Sequence, residues 1–303
     1  MTSIEPTGVE PVGAEPVGAE PVGAEPVPGE TTEPPLADSH FTRQLVQGLI
    51  ALLLVAAVII VAIVVVSHNK VAATHSATGS VSDNPTPKNM ASYGVLLTGG
   101  NGRITAVRTS AVPIGHPIPT DTNKLPGAAH IVEYIDYQCP YCLEFERANL
   151  SKTAALVASG KATLEIHPVA FLDRSSQGTR YSSRAFNAAA CVANYDPDTF
   201  LNVTAALYQY QPAEGSTGLT NAQILSVLDK ADATSAAISK CVDSETYRDW
   251  VTATTADELG GSFAHVANTP TAFEGTPTVF VNGAQYTGSL TDAAAFSAFV
   301  AGQ

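Results

Sequence analysis

The sequence predicts an α/β domain with a helical insertion, carried behind a disordered tail and one membrane-spanning helix. Three observations predict it: a five-residue repeat over residues 5–29, an apolar run from Leu49 to Val66, and an order of strand, helix, strand, helical block, hairpin and helix over residues 129–303.

Residues 5–29 repeat E-P-V-G-A, with glutamates at 5, 10, 15, 20 and 25. Almost no side chain there can build a core, so residues 1–44 read as a disordered tail. Of the net charge of −13, −7 falls on those 44 residues, where eight acidic groups face only Arg43. The acidic balance is thus mostly a property of the tail. With no basic patch, it speaks against nucleic acid as a partner. Every residue from Leu49 to Val66 is apolar, and counting back to Leu45 gives 22 residues, about 33 Å of helix, enough to span a bilayer. A cleaved signal peptide is the alternative, but its apolar region is about 7–15 residues and follows a short basic start. Arg43 and Lys70 flank the 45–66 span, so basic residues leave its orientation open.

Residues 67–90 have the small, polar composition of a juxtamembrane linker. The rest of the 67–128 linker begins with YGVLLTGGNGRITAVR (93–108), which alternates around GGNG and reads as a β-hairpin. It is expected to be an appendage, since loop chemistry follows it. AHIVEYIDY (129–137) reads as a buried strand, and Pro140 suits the first turn of a helix running to Gly160. KATLEIHPVAF (161–171) is the next strand. From about 180 to 260 the pattern turns helical, with Asp196-Pro197 as a start, Thr220 and Gln223 as a capping box, and Ser244 opening a further run. GTPTVFVNGAQYTG (275–288) holds two short β stretches around Asn282-Gly283, a hairpin-turn signal, and the chain closes in a capped helix. This is the order of the thioredoxin fold with a helical domain set into its middle.

The four cysteines carry the chemistry. Cys139 and Cys142 form CPYC where a strand gives way to a helix. A zinc site needs a second close pair or nearby histidines, and Cys191 and Cys241 are fifty residues apart, so no metal is expected. Two inert buried thiols are a further alternative. As a redox pair, Cys139 at the helix N-terminus is the attacker, because unpaired N–H groups and the helix dipole favour its thiolate. Cys142, one turn in, is the shielded resolver. Pro140 and Tyr141 between them tune the thiolate. Cys191 and Cys241 are read as a structural disulfide within the helical block, two unpaired buried thiols being the alternative. An oxidised pair belongs outside the cytoplasm, which puts the tail inside and the catalytic domain beyond the cell membrane.

VEYIDYQCPYC, HPVAFLD followed by YSSRAFNAAACV, and GTPTVFVNG together resemble the DsbA-like disulfide oxidoreductases of the thioredoxin superfamily, over about residues 129–300. The Ala-rich composition and the second cysteine pair are similar to those of membrane-anchored actinobacterial members. The resemblance implies a cis Pro277 lying against the CxxC, with Thr276 presenting its backbone to an extended substrate peptide. It implies that Glu133 is semi-buried beneath the CxxC and assists proton transfer to Cys142. It also implies exported proteins as substrates, no cofactor, and a quinone-linked membrane reoxidant of the DsbB or vitamin-K-epoxide-reductase type. Strongly oxidising relatives have histidine where Tyr141 stands, so a milder oxidant is expected. CPYC with Thr276 before the proline also resembles the isomerase and reductase branch. A peptide-binding chaperone on the same fold is a third alternative. His167 is read as a packed strand residue, Asp136, Glu144 and Glu146 as solvated charges, and Tyr134 and Tyr137 as core.

Overall fold

The computed structural model describes residues 84–125, 129–260 and 273–303. The acidic tail, the apolar 45–66 span and the linker up to residue 83 lie outside the described residues. Among the described residues, no helix is long and apolar enough to cross a membrane.

The described residues build one mixed sheet from β1 (Val95–Gly100), β2 (Arg103–Ala106), β3 (Ala129–Ile135), β4 (Ala162–Pro168), β5 (Thr278–Val281) and β6 (Ala284–Gln285). Its order is β2-β1-β4-β3-β5-β6, with β3 and β4 parallel and the other pairs antiparallel. The connection between the parallel strands is α1 (Pro140–Ala158), stopped by Gly160 at φ 74°. The register aligns Val95, Leu97, Ile131, Glu133, Leu164, Ile166, Val279 and Val281 on one face. Against it pack Phe145 and Val157 of α1 and Phe296 and Val300 of α7 (Ala293–Gly302), all buried. Glu133 is the one carboxylate in that apolar face, which is what makes it conspicuous.

The helical block is α2 (Tyr181–Tyr195), α3 (Phe200–Gln209), α4 (Asn221–Lys230), α5 (Ala236–Asp243) and α6 (Arg248–Leu259). Thr220 and Gln223 cap α4 reciprocally, as their spacing predicts. Asp196 gives no side-chain cap, and Pro197 opens a short 3-10 turn before α3. Ser244 does not start a helix but caps the C-terminus of α5, its hydroxyl donating to the Lys240 carbonyl at 2.7 Å. A serine caps either end of a helix, accepting from an N–H at the start and donating back to a carbonyl at the end, so composition alone misplaces it.

The hairpin is no appendage. β1 pairs along β4 from Val95 opposite Ile166 to Leu97 opposite Leu164, extending the central sheet. The packed region also begins earlier than the linker reading has it. Asn89 and Met90 are buried, and Asn89 donates to the Ala193 carbonyl at 2.7 Å.

Candidate active site

β3 ends at Ile135, and Asp136 turns the chain toward α1. Its carboxylate accepts from the backbone N–H of Gln138 (2.7 Å) and Leu172 (2.8 Å) and from the Ser182 hydroxyl (2.7 Å). Burial nevertheless pushes Asp136 up to about 6. Its carbonyl accepts from the Cys139 N–H at 3.0 Å and the Tyr208 hydroxyl at 3.2 Å. Gln211 braces the same turn, donating to the carbonyls of Tyr137 (3.2 Å) and Cys139 (2.9 Å). Cys139 thereby takes the N-cap of α1 in an extended conformation, with Pro140 at the first helical position.

Cys139 and Cys142 are free thiols, the first 4% exposed and the second fully buried. The Thr276–Pro277 peptide is cis, and Cys139 Sγ donates to the Thr276 carbonyl at 3.2 Å. Residues 137 positions apart thus meet at one sulfur. A hydrogen bond from Cys142 does most to lower the Cys139 thiol, to about 7, against the penalty of burial. The Thr276 side chain and the N–H groups of Cys142 and Tyr141 add to that effect. Burial first, and then Cys139, push Cys142 well above its ordinary value. Tyr141 acts through its backbone, for its side chain is 59% exposed.

Beneath this pair, Glu133 meets Glu146, which lies one helical turn beyond Cys142. Burial and then the Glu146 carboxylate raise Glu133 well above the usual range, and burial pushes Glu146 to about 7. The two carboxyls hydrogen-bond each other, while Glu133 Oε2 and Glu146 Oε1 have no protein partner. A cleft of about 200 Å³ reaches Glu146 between Leu143, Leu150 and Tyr208. Glu146 and Asp136, read as solvated, are therefore buried, and only Glu144 is exposed. A signal for Glu146 exists in the sequence. Cys142, Glu146, Asn149 and Thr153 follow helical spacing along the buried stripe of α1.

Cys191 and Cys241 are bonded, with S–S 2.04 Å and Cα–Cα 5.9 Å, tying α2 to α5. Among the described residues, no group of three or more His, Cys, Asp or Glu is placed to hold a metal ion. His167 is packed within its strand as read, but in company the sequence does not reveal: it contacts Glu165 and Glu258.

Residues 126–300, more than half the chain, match the sequence model Thioredoxin_4, described as thioredoxin. The chain belongs to the thioredoxin family. It is similar in structure to the reduced disulfide bond oxidoreductase DsbG of Mycobacterium tuberculosis, at 29% identity and TM-score 0.50, over 68% of this chain and 85% of that one. Reduced DsbA of the same organism is 29% identical over 68% and 90% of the two chains, with TM-score 0.49. A 110-residue stretch, 35% of this chain, is 33% identical to the serine/threonine-protein kinase PknE of Mycobacterium tuberculosis, of which it spans 19%. The likeness to DsbG and the cysteine geometry set the chain beside the disulfide oxidoreductases that share this fold.

Proposed function

We propose that this family member oxidises thiols of exported proteins, using Cys139–Cys142 as its disulfide and residues 45–66 as its membrane anchor. The observation that supports this reading is the asymmetry of the pair: Cys139 at about 7, in contact with Thr276, and Cys142 buried and held far above it. A substrate thiolate attacks Cys139 Sγ in the oxidised pair, the S–S bond breaks, and Cys142 leaves with the electron pair. Because Cys142 favours its protonated form, it takes up a proton as it leaves; Glu133, paired with Glu146, is the buried acid assigned to that transfer. A second substrate thiolate then attacks the substrate sulfur of the mixed disulfide. The substrate leaves oxidised, and Cys139 departs as the stabilised thiolate. Thr276 offers its backbone to the substrate strand beside Pro277.

The reduced pair then passes two electrons to a quinone-linked membrane partner of the DsbB or vitamin-K-epoxide-reductase type. In this reading the tail is cytoplasmic and the catalytic domain extracytoplasmic. A second reading, isomerase or reductase, is favoured by one observation: about 7 for Cys139 is near a reductant's thiol and well above the ~3.5 of a strong oxidant. A glutathione redox titration of the full chain in mild detergent separates them, with Cys191–Cys241 followed by mass spectrometry. A potential above about −150 mV supports the oxidase, and one below about −250 mV overturns it in favour of the reductase.

A further inference from the structure

His167 lies on the sheet face opposite Glu133, fully buried, and the thiol chemistry makes no use of it. Its Nδ1 is 2.8 Å from Glu258 Oε1 on α6, and its Nε2 is 3.2 Å from Glu165 Oε1 on β4. Glu165 is also approached by His130 Nε2 from β3, at 3.2 Å, and by the Ser92 hydroxyl. Asp257, beside Glu258, accepts from the Tyr93 hydroxyl at 3.0 Å. Burial alone would strip the proton from His167, but hydrogen bonds to Glu165 and then Glu258 outweigh it and hold the imidazolium to about 9. Gly94 is part of this construction. A Cβ there would stand 2.4 Å from His167 Nε2, so only glycine lets the chain before β1 pass over the ring.

The next contact gives the cluster a direction. The His167 ring stacks on Tyr134, with centroids 4.7 Å apart and planes tilted 31°. Tyr134 in turn meets Phe273 edge-on at 6.4 Å. Glu258 and Phe273 stand on either side of the stretch that leads from α6 to β5. Both are therefore tied to the same stacked pair, one through an ion pair and the other through a ring edge. Three residues past Phe273 comes Thr276, whose carbonyl touches Cys139 Sγ.

We propose that His167 is a positioning residue for the dithiol site: with Tyr134 it fixes both ends of the α6-to-β5 connection, and so fixes where Thr276 stands against Cys139. The charge matters as well as the ring. A neutral aromatic side chain at 167 retains the stack on Tyr134 but leaves Glu165 and Glu258 buried without their shared cation, which releases the α6 end. The clamp holds the backbone that an extended peptide must pair with. Its loss therefore falls on substrate peptides more than on small thiols, which need no strand pairing.

The test uses the full chain in detergent, with Glu258→Gln as the main variant and His167→Phe as the second. Glu258→Gln keeps the shape of the α6 contact and removes only its charge. Two readouts are taken well below the unfolding temperature: KM and kcat for a cysteine-containing peptide against the rate with dithiothreitol, and the pH midpoint of Cys139 alkylation. The expected result is a rise in peptide KM of about fivefold or more, with the dithiothreitol rate changed less than twofold after allowance for the thiolate fraction. The Cys139 midpoint is expected to move from its wild-type value as Thr276 drifts. A lowered melting temperature with wild-type KM and wild-type midpoint overturns the proposal and leaves the cluster merely structural. Should His167→Phe fail to fold, Glu258→Gln decides alone. Absence of turnover in the wild type would count against the functional reading, and the alkylation midpoints would still judge the clamp.

Discussion

Replacing Cys142 with alanine tests the electrostatics of the dithiol most directly. The hydrogen bond from Cys142 is the largest cause holding Cys139 at about 7, ahead of the Thr276 side chain and the two backbone N–H groups. Removing it leaves those lesser donors, and burial continues to oppose the charge. The midpoint should climb to about 8, short of the free thiol at about 8.5 because the helix N-terminus remains. At pH 7 the thiolate fraction then falls from about a half to about a tenth, and alkylation of Cys139 slows about fivefold. The assay is clean, since Cys191 and Cys241 are bonded to each other and Cys139 is the only thiol left. Iodoacetamide rates from pH 5 to 10 give the midpoint. A Cys142→Ala midpoint still at 7 or below would refute the reasoning and assign the thiolate to the Thr276 side chain and the backbone amides of Tyr141 and residue 142.

The buried carboxyl pair makes stability depend on pH. Glu133 and Glu146 both titrate higher folded than unfolded, so their stabilising contribution is complete below about pH 4.5 and is lost as pH rises through about 7 and beyond. Glu146→Gln should therefore raise the melting temperature at pH 8 and change it little at pH 5, while Glu133→Gln should also slow formation of the mixed disulfide at Cys139, seen by trapping with a substrate peptide. Equal thermal shifts at both pH values would dismiss the shared-proton picture. Replacing Cys191 and Cys241 together by alanine opens a loop of separation 50 and should cost about 4 kcal/mol on the chain-entropy argument, read as a lower denaturant midpoint. The Cys139 alkylation midpoint should stay where it is.

What the sequence reveals of this structure follows how local each cause is. The start and stop of α1 are visible because Pro140 fixes φ for a first turn and Gly160 permits the positive φ that ends the helix. The capping box at Thr220 is likewise a four-residue event. The place of the 93–108 hairpin is hidden, because nothing in its own alternation names β4 as its neighbour. Asp136 shows the same limit from the side of a single residue. Two of its three partners, Leu172 and Ser182, are 36 and 46 positions away, so an aspartate that looks solvated is a fully buried brace of the active-site turn. Glu146 is the intermediate case. Its i+4 relation to Cys142 is readable, but its burial depends on α3 closing over it.

The direction of electron flow rests on small energies. A disulfide oxidises more strongly the better its reduced form is stabilised. With Cys139 at about 7 instead of about 8.5, ionisation at pH 7 stabilises the dithiol by only about 0.4 kcal/mol, or about 9 mV for two electrons. The hydrogen bond from the neutral thiol to the Thr276 carbonyl works against ionisation, since that acceptor gains nothing from a thiolate. Thiolate stabilisation at this site therefore adds little oxidising power. It should still mark the pH dependence. Below the Cys139 midpoint two protons accompany two electrons, and the potential falls about 59 mV per pH unit; above it one proton accompanies them, and the slope halves to about 30 mV. Potentials measured from pH 5.5 to 8.5 should break near pH 7. A single slope of about 59 mV across that range would mean that Cys139 remains a thiol throughout, and the attacking thiolate would have to be sought elsewhere.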